Sequence, residues 1–89
     1  MSDAASTPDK DQILEVVRAQ LVEIVDAAPG DVQLDTKLAE GLDADSIDLV
    51  ELAGALERQY SIGIEDHEVY DLETVGQLVD LVATKAAEA

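Results

Sequence analysis

Residues 45–60 read DSIDLVELAGALERQY and predict the amphipathic helix around which the fold is organised. Asp45 suits the N-cap, Ser46 the first helical position and Asp48 the first turn, where a negative charge is favoured. The apolar residues that recur at helical spacing along this segment are Leu49, Leu52, Ala53, Leu56 and Tyr60. They form a stripe wide enough to be the face that packs on the core.

A further helix is predicted upstream, beginning near Pro8 or Asp9 and stopped by Ala28-Pro29-Gly30. Its apolar positions are Ile13, Leu14, Val17, Leu21, Ile24 and Val25. Residues 31–45 then make a connection that is longer than usual for a helical domain. We expect its scattered apolar residues to pin it onto the core: Val32, Leu34, Leu38 and Leu42.

Downstream of Tyr60 the pattern is shorter. Residues 60–64 alternate like a strand, but no other segment could pair with them, so we expect a buried loop. Asp66 is expected to cap a short helix that runs through Tyr70. Thr74 and Gln77 have the spacing of a capping box, which starts a last helix. The apolar residues of that helix are Val75, Leu78, Val79 and Val82.

These segments together predict an all-α protein, a four-helix bundle of three main helices and one short helix with a long first loop. Residues 9–84 form the predicted domain. Residues 1–8 are expected to be a disordered N-terminus, and residues 85–89 a frayed C-terminus.

Composition restricts the function. The 89 residues include 21 acidic and 5 basic side chains, a formal charge of −16, which repels nucleic acid and anionic membranes and attracts basic protein surfaces. No cysteine is present, so a disulfide framework, a thiolate metal site and a thiol nucleophile are excluded. No apolar run could span a bilayer and no signal peptide is visible. We expect a cytoplasmic monomer without a metal.

Ser46 is the candidate functional residue. It stands at the mouth of a helix between Asp45 and Asp48, with apolar Ile47 directly after it. Amides at a helix N-terminus and the positive end of the dipole stabilise a phosphate ester, and a first-turn position leaves the hydroxyl open to another enzyme. Spacing alone leaves open that Ser46 only begins the helix.

The segment Leu42-Asp43-Ala44-Asp45-Ser46-Ile47-Asp48-Leu49-Val50-Glu51-Leu52 resembles the attachment motif of the acyl carrier protein family. The resemblance extends from the first helix to the last. It implies that a phosphopantetheinyl transferase uses coenzyme A to place 4'-phosphopantetheine on Ser46. The thiol of that arm then carries acyl groups as thioesters. The implied partners are an acyl-loading ligase or acyltransferase, and ketosynthase or condensation enzymes; the protein itself is not an enzyme.

The resemblance also implies a docking face. Basic patches on partner enzymes would contact the acids of the second helix: Asp45, Asp48, Glu51 and Glu57. Ile47 and Val50 would supply the apolar part of that contact, and both lie off the core stripe, as a docking patch requires. We expect the acyl chain either to shelter among the helices, near Leu49, Leu56, Ile64 and Val69, or to stay exposed for delivery.

Four positions depart from the family pattern. Asp43 stands where glycine is frequent, and Ile47 replaces the usual leucine. Gly54 stands where a bulky apolar residue is typical, and Arg58 interrupts the acidic face of the second helix. A smaller docking patch favours a specialised pathway over general fatty acid synthesis.

Ala44-Asp45, in place of the Gly-His or Gly-Asp of peptidyl carriers, favours an acyl cargo for fatty acid, polyketide or lipopeptide biosynthesis. The start at Met1 and the lack of an attached catalytic domain suggest a free-standing carrier, with an excised module as the alternative.

Parts of the sequence also suggest three other functions. A hydrolytic set of Ser46, Asp45 and His67 lacks an oxyanion glycine motif, and His67 lies in an acidic stretch beside Glu68. A calcium loop counted from Asp43 fails because Asp48 and Gly54 stand where the turn glycine and the bidentate glutamate belong.

The third alternative is an unmodified acidic helical adaptor that binds a basic partner. It predicts that Ser46→Ala leaves function intact, whereas a carrier loses acyl loading.

Overall fold

The computed structural model describes residues 9–88 and contains five α-helices joined by turns. The helices are α1 (Lys10–Val25), α2 (Leu38–Leu42), α3 (Ser46–Tyr60), α4 (Asp66–Tyr70) and α5 (Val75–Glu88). Over these residues there is no strand, only an isolated antiparallel bridge between Lys37 and Thr74. The predicted all-α class is therefore confirmed, with two short helices instead of one. No helix in the described part of the chain has the length and apolar character needed to cross a membrane.

The three long helices build the core. α1 packs against both α3 and α5, and α4 packs against α3. The side chains that are essentially removed from solvent are Ile13, Val17, Leu21, Val32, Leu38, Leu52, Leu56, Val69, Val75, Leu78, Val79 and Val82. All are aliphatic, as the scarcity of aromatic residues requires. Of the predicted stripe on α3, Leu52, Ala53 and Leu56 are buried, while Leu49 and Tyr60 are half-buried.

Local hydrogen bonds explain where the helices begin. Asp9 caps α1, with its Oδ1 accepting the amide of Gln12 at 2.8 Å. The predicted capping box of α5 is confirmed, because Thr74 Oγ1 accepts the Gln77 amide and Gln77 Oε1 accepts the Thr74 amide, both at 3.2 Å. The prediction for α4 was wrong by one residue. Its cap is Glu65, and Asp66 is the first helical residue.

The long connection is more ordered than predicted. A 3₁₀ turn occupies Pro29–Asp31, and α2 lies within the predicted loop. The guanidinium of Arg18 fastens the turn to α1, donating to the carbonyl of Pro29 at 3.1 Å and to that of Val32 at 2.8 Å. Val32, Leu38 and Leu42 are buried as expected. The prediction for Leu34 was wrong, since its side chain is 51% exposed.

Backbone hydrogen bonds join this connection to the start of α5. The amide of Leu38 donates to the carbonyl of Glu73 at 2.9 Å, and the amide of Val75 donates to the carbonyl of Thr36 at 2.9 Å. The Gly76 amide donates to the carbonyl of Leu34 at 2.7 Å. A β-carbon at Gly76 would lie 2.8 Å from that same oxygen, so the close approach requires glycine.

The end of the chain is also more regular than predicted. α5 continues through Glu88, so the expected fraying after Thr84 does not describe residues 85–88. Lys85 contributes to this order because its Nζ lies 3.1 Å from Oε1 of Glu68 on α4. The Glu65 amide and the Lys85 ammonium lower the pKa of the Glu68 carboxyl. The predictions for residues 1–8 and for residue 89 lie outside the described residues.

Candidate functional site

Ser46 is the first residue of α3, and its side chain is exposed. The two acids beside it form a reciprocal capping box: Oδ1 of Asp45 accepts the Asp48 amide at 2.9 Å, and Oδ2 of Asp48 accepts the Asp45 amide at 3.2 Å. Asp45 is thus the N-cap that the sequence predicted. Because each carboxylate is bonded to a backbone amide, the cap leaves the Ser46 hydroxyl facing solvent and accessible to another enzyme.

The surroundings of Ser46 suit a phosphodiester. The amides of Ser46 and Ile47 belong to the first turn and form no hydrogen bond with any acceptor in residues 9–88. Such amides, at the positive end of the helix dipole, can donate to phosphate oxygens on the adjacent hydroxyl. The site therefore fits a 4'-phosphopantetheine group, which supplies the thiol that a chain without cysteine lacks.

The turn that leads into α3 is held by the burial of Ala44 and by a backbone hydrogen bond to α2. Asp43 ends α2 in the left-handed conformation, with φ of 57°. Ala44 follows, is only 5% exposed, and donates its amide to the carbonyl of Leu38 at 3.0 Å. Because Ala44 is buried and Asp45 is exposed, the chain passes from the core to the surface between these two residues, and Ser46 follows at the surface.

A continuous face of α3 points away from the core. At 100° per residue, five side-chain positions fall within an arc of about 100°. They are Ile47, Val50, Glu51, Gly54 and Arg58. Ile47 is 74% exposed and Val50 is 39% exposed, an apolar pair surrounded by charged groups. The structure therefore places the predicted apolar contact residues where a partner can reach them.

The four acids of the predicted docking face are not equivalent. Asp45 and Glu51 are exposed, whereas Asp48 and Glu57 are half-buried. Oε2 of Glu57 accepts the amide of Ile64 at 2.9 Å, which holds the loop between α3 and α4 against the helix. Sequence reasoning missed this internal bond. A glutamate seven residues before a loop amide gives no local signal, because the contact depends on how the chain turns.

The predicted shelter residues lie between α3 and α4. Leu56, Ile64 and Val69 are 0%, 8% and 2% exposed, and Leu49 is half-buried. The surface depressions beside Lys37 and beside Glu51 are not lined by any of these four residues.

The structure does not assemble a hydrolytic set or a calcium loop. His67 is exposed on α4, and the Asp45 carboxylate is engaged with the Asp48 amide. Within residues 9–88, no group of three or more histidine or carboxylate side chains is arranged to hold a metal ion.

Comparison with known proteins identifies the family. The model of the family described as "Phosphopantetheine attachment site" matches residues 15–82. The acyl carrier protein of Petrotoga mobilis is 36% identical over 76 residues, which are 85% of this chain and 89% of the relative.

Solved structures agree with this match. The crystal structure of an acyl carrier protein from Thermotoga maritima has a TM-score of 0.78 at 25% identity, covering 89% of this chain and 92% of that chain. Hexanoyl acyl carrier protein from the actinorhodin polyketide synthase of Streptomyces coelicolor has a TM-score of 0.69 at 32% identity, covering 82% and 88% respectively.

A helical bundle with an exposed serine at a capped helix start, together with these matches, defines a carrier of the phosphopantetheine-dependent class. The chain belongs to the acyl carrier protein family. Members of this family carry acyl groups on phosphopantetheine for partner enzymes and are not themselves enzymes.

Proposed function

We propose that Ser46 is the residue that receives 4'-phosphopantetheine from coenzyme A, and that the arm holds acyl intermediates as thioesters in the cytoplasm. The observation that carries this proposal is the exposed hydroxyl at the first position of α3, beside two first-turn amides without acceptors in residues 9–88. Ser46 has no activating base of its own. Its modification is the work of a phosphopantetheinyl transferase.

The cargo is delivered by an acyl-loading ligase or acyltransferase and passed to ketosynthase or condensation enzymes. Docking uses Ile47 and Val50 with the acids Asp45, Asp48, Glu51 and Glu57 around them. We favour a specialised pathway, polyketide or lipopeptide biosynthesis, over general fatty acid synthesis. Gly54 and Arg58 support this choice, because they change the size and charge of the exposed face of α3.

The absence of cysteine allows a direct test of the thioester. After incubation with coenzyme A and a phosphopantetheinyl transferase, a thiol reagent should detect one thiol per chain, since the chain has none of its own. Acylation should block that thiol, and neutral hydroxylamine, which cleaves thioesters, should restore it. A chain that gains no titratable thiol would contradict the proposal.

The acyl chain is proposed to shelter between α3 and α4, near Leu49, Leu56, Ile64 and Val69. Three of these side chains are buried and Leu49 is half-buried, so the acyl chain is proposed to displace α4 when it enters. α4 has only five residues. Three contacts hold it and the preceding loop: the Glu65 cap, the Glu68–Lys85 ion pair and the bond from Ile64 to Glu57. A helix this short is at the low-stability end of a domain.

Methyl NMR of a series with increasing acyl length tests the shelter. The shifts of the Ile64 and Val69 methyl groups should move progressively further from those of the unacylated holo form. The methyl groups of Val79 serve as an internal control, because the main helix contact of α5 is with α1 and not with α3 or α4. Shifts of Ile64 and Val69 that are indifferent to acyl length would show that the chain stays outside.

A further inference from the structure

Arg58 is set apart from the other basic residues. The chain has five lysines and arginines, and four of them form ion pairs: Lys10 with Asp80, Arg18 with Glu15, Lys37 with Glu40 and Lys85 with Glu68. Arg58 has no carboxylate within 4.0 Å in residues 9–88, although the chain carries 21 acids. Its charge is available to a group from outside.

The position of Arg58 links it to the proposed docking face. Ile47, Val50, Gly54 and Arg58 follow one another along the exposed side of α3 at helical spacing. A methyl group at Gly54 would lie 3.6 Å from Nη1 of Arg58. The guanidinium therefore lies back along the helix, beside the gap that glycine leaves at position 54.

Two acids lie near Arg58 without forming an ion pair with it. Arg58 lines a shallow recess together with Glu23 and Glu51 on facing turns of α1 and α3. Both acids are exposed, and neither forms an ion pair with the guanidinium. The guanidinium, with its planar set of N–H donors, can bind a carboxylate through two hydrogen bonds, and the neighbouring Glu23 and Glu51 favour an acid that arrives beside a basic group of the partner.

We propose that Arg58 and the gap at Gly54 receive a carboxylate side chain of the partner enzyme. This proposal rests on the proposed function, because it concerns the face that docks. The partner surface would then carry basic groups opposite Asp48 and Glu51, and an acid opposite the guanidinium beside Gly54, about 9 Å along the helix from Asp48, which is the rise of six helical residues. A uniformly basic partner surface would be repelled by Arg58, so the arrangement selects among partners.

A purely structural role for Arg58 makes a different prediction. It lies in the last turn of α3, where a cation interacts favourably with the helix dipole. In that case Arg58→Gln lowers the Tm and leaves partner kinetics unchanged.

Two substitutions with equal charge change separate these cases. Arg58→Gln and Gln59→Glu each make the chain more negative by one unit, but Gln59 lies off the docking face and is also exposed. Both variants are first converted to the holo form and checked by mass, so a loss of docking is distinguished from a loss of modification. The probe is one purified ketosynthase that accepts the acylated chain.

Arg58→Gln should raise KM about fivefold with kcat unchanged, as expected for the loss of one surface ion pair, while Gln59→Glu should leave KM the same or lower it. Arg58→Glu should raise KM further, and one acid-to-lysine substitution in the docking patch of the ketosynthase should restore it. The proposal is overturned if Arg58→Gln leaves KM unchanged or lowers it, if Gln59→Glu raises KM as much as Arg58→Gln does, or if no acid-to-lysine substitution restores Arg58→Glu.

Discussion

Ser46→Ala is expected to abolish the gain of phosphopantetheine and all acyl loading while the helical fold persists. The cap of α3 is Asp45, and the Ser46 hydroxyl is exposed, so its removal should cost no more than about 0.5 kcal/mol of stability. Loading, by contrast, requires the oxygen that forms the phosphodiester. Thiol titration gives the loading, and circular dichroism gives the fold of the same sample.

Ser61 provides the matched control. It ends α3 in the left-handed conformation, with φ of 56°, and its side chain is exposed like that of Ser46. Ser61→Asn keeps a residue that tolerates this conformation and removes a serine hydroxyl from the same helix. The control should load to the level of the unaltered chain. Loading of Ser46→Ala to that same level would move the attachment to another residue.

Gly76→Ala is expected to lower the free energy of unfolding, although alanine is the better helix former. The added β-carbon would lie 2.8 Å from the carbonyl oxygen of Leu34, a backbone atom that cannot turn aside. Overpacking of this kind costs about 1 to 3 kcal/mol. At roughly 4 to 8 °C per kcal/mol for a domain of this size, the Tm should fall by about 5 to 20 °C.

Gly54→Ala, in the middle of α3, is expected to raise the free energy of unfolding, the opposite of the effect at Gly76. Its β-carbon would meet only Nη1 of Arg58, at an ordinary contact distance of 3.6 Å. Replacing a helical glycine should therefore add about 0.5 to 1 kcal/mol. Thermal unfolding of both variants measures the pair. A Tm that rises in both would show that α5 can move away from Leu34 without cost.

The helix starts could be predicted because each depends on neighbours in sequence. Asp45 with Asp48 and Thr74 with Gln77 place side-chain acceptors three residues from the amides they bind. The apolar stripe of α3 was predictable for the same reason: its burial follows from the helical repeat. Local chemistry therefore located the helix and its first position, which Ser46 occupies, whereas the resemblance singled out Ser46 as the expected attachment site.

Other features depend on contacts between distant segments and gave little signal. α2 has only five residues, too few for a periodic pattern, and Leu34 is exposed although it is as apolar as its buried neighbours. Glu57 looked like a surface acid because its bond to Ile64 exists only once the chain turns. Gly76 gave no sign of its backbone contact with Leu34.

Asp43 shows how a departure from the family pattern becomes intelligible in the structure. The position has a φ of 57°, which glycine adopts without strain and which aspartate tolerates better than most residues. The residue that precedes the attachment segment can therefore change without altering the path of the chain into α3.

Intact-protein mass spectrometry of the unaltered chain, after incubation with coenzyme A and a promiscuous phosphopantetheinyl transferase, tests the central claim most directly. Fragmentation then locates the added group. We expect a gain of one phosphopantetheinyl unit, carried by Ser46. No gain in mass, or a gain on any other residue, would contradict the assignment of Ser46 as the attachment site.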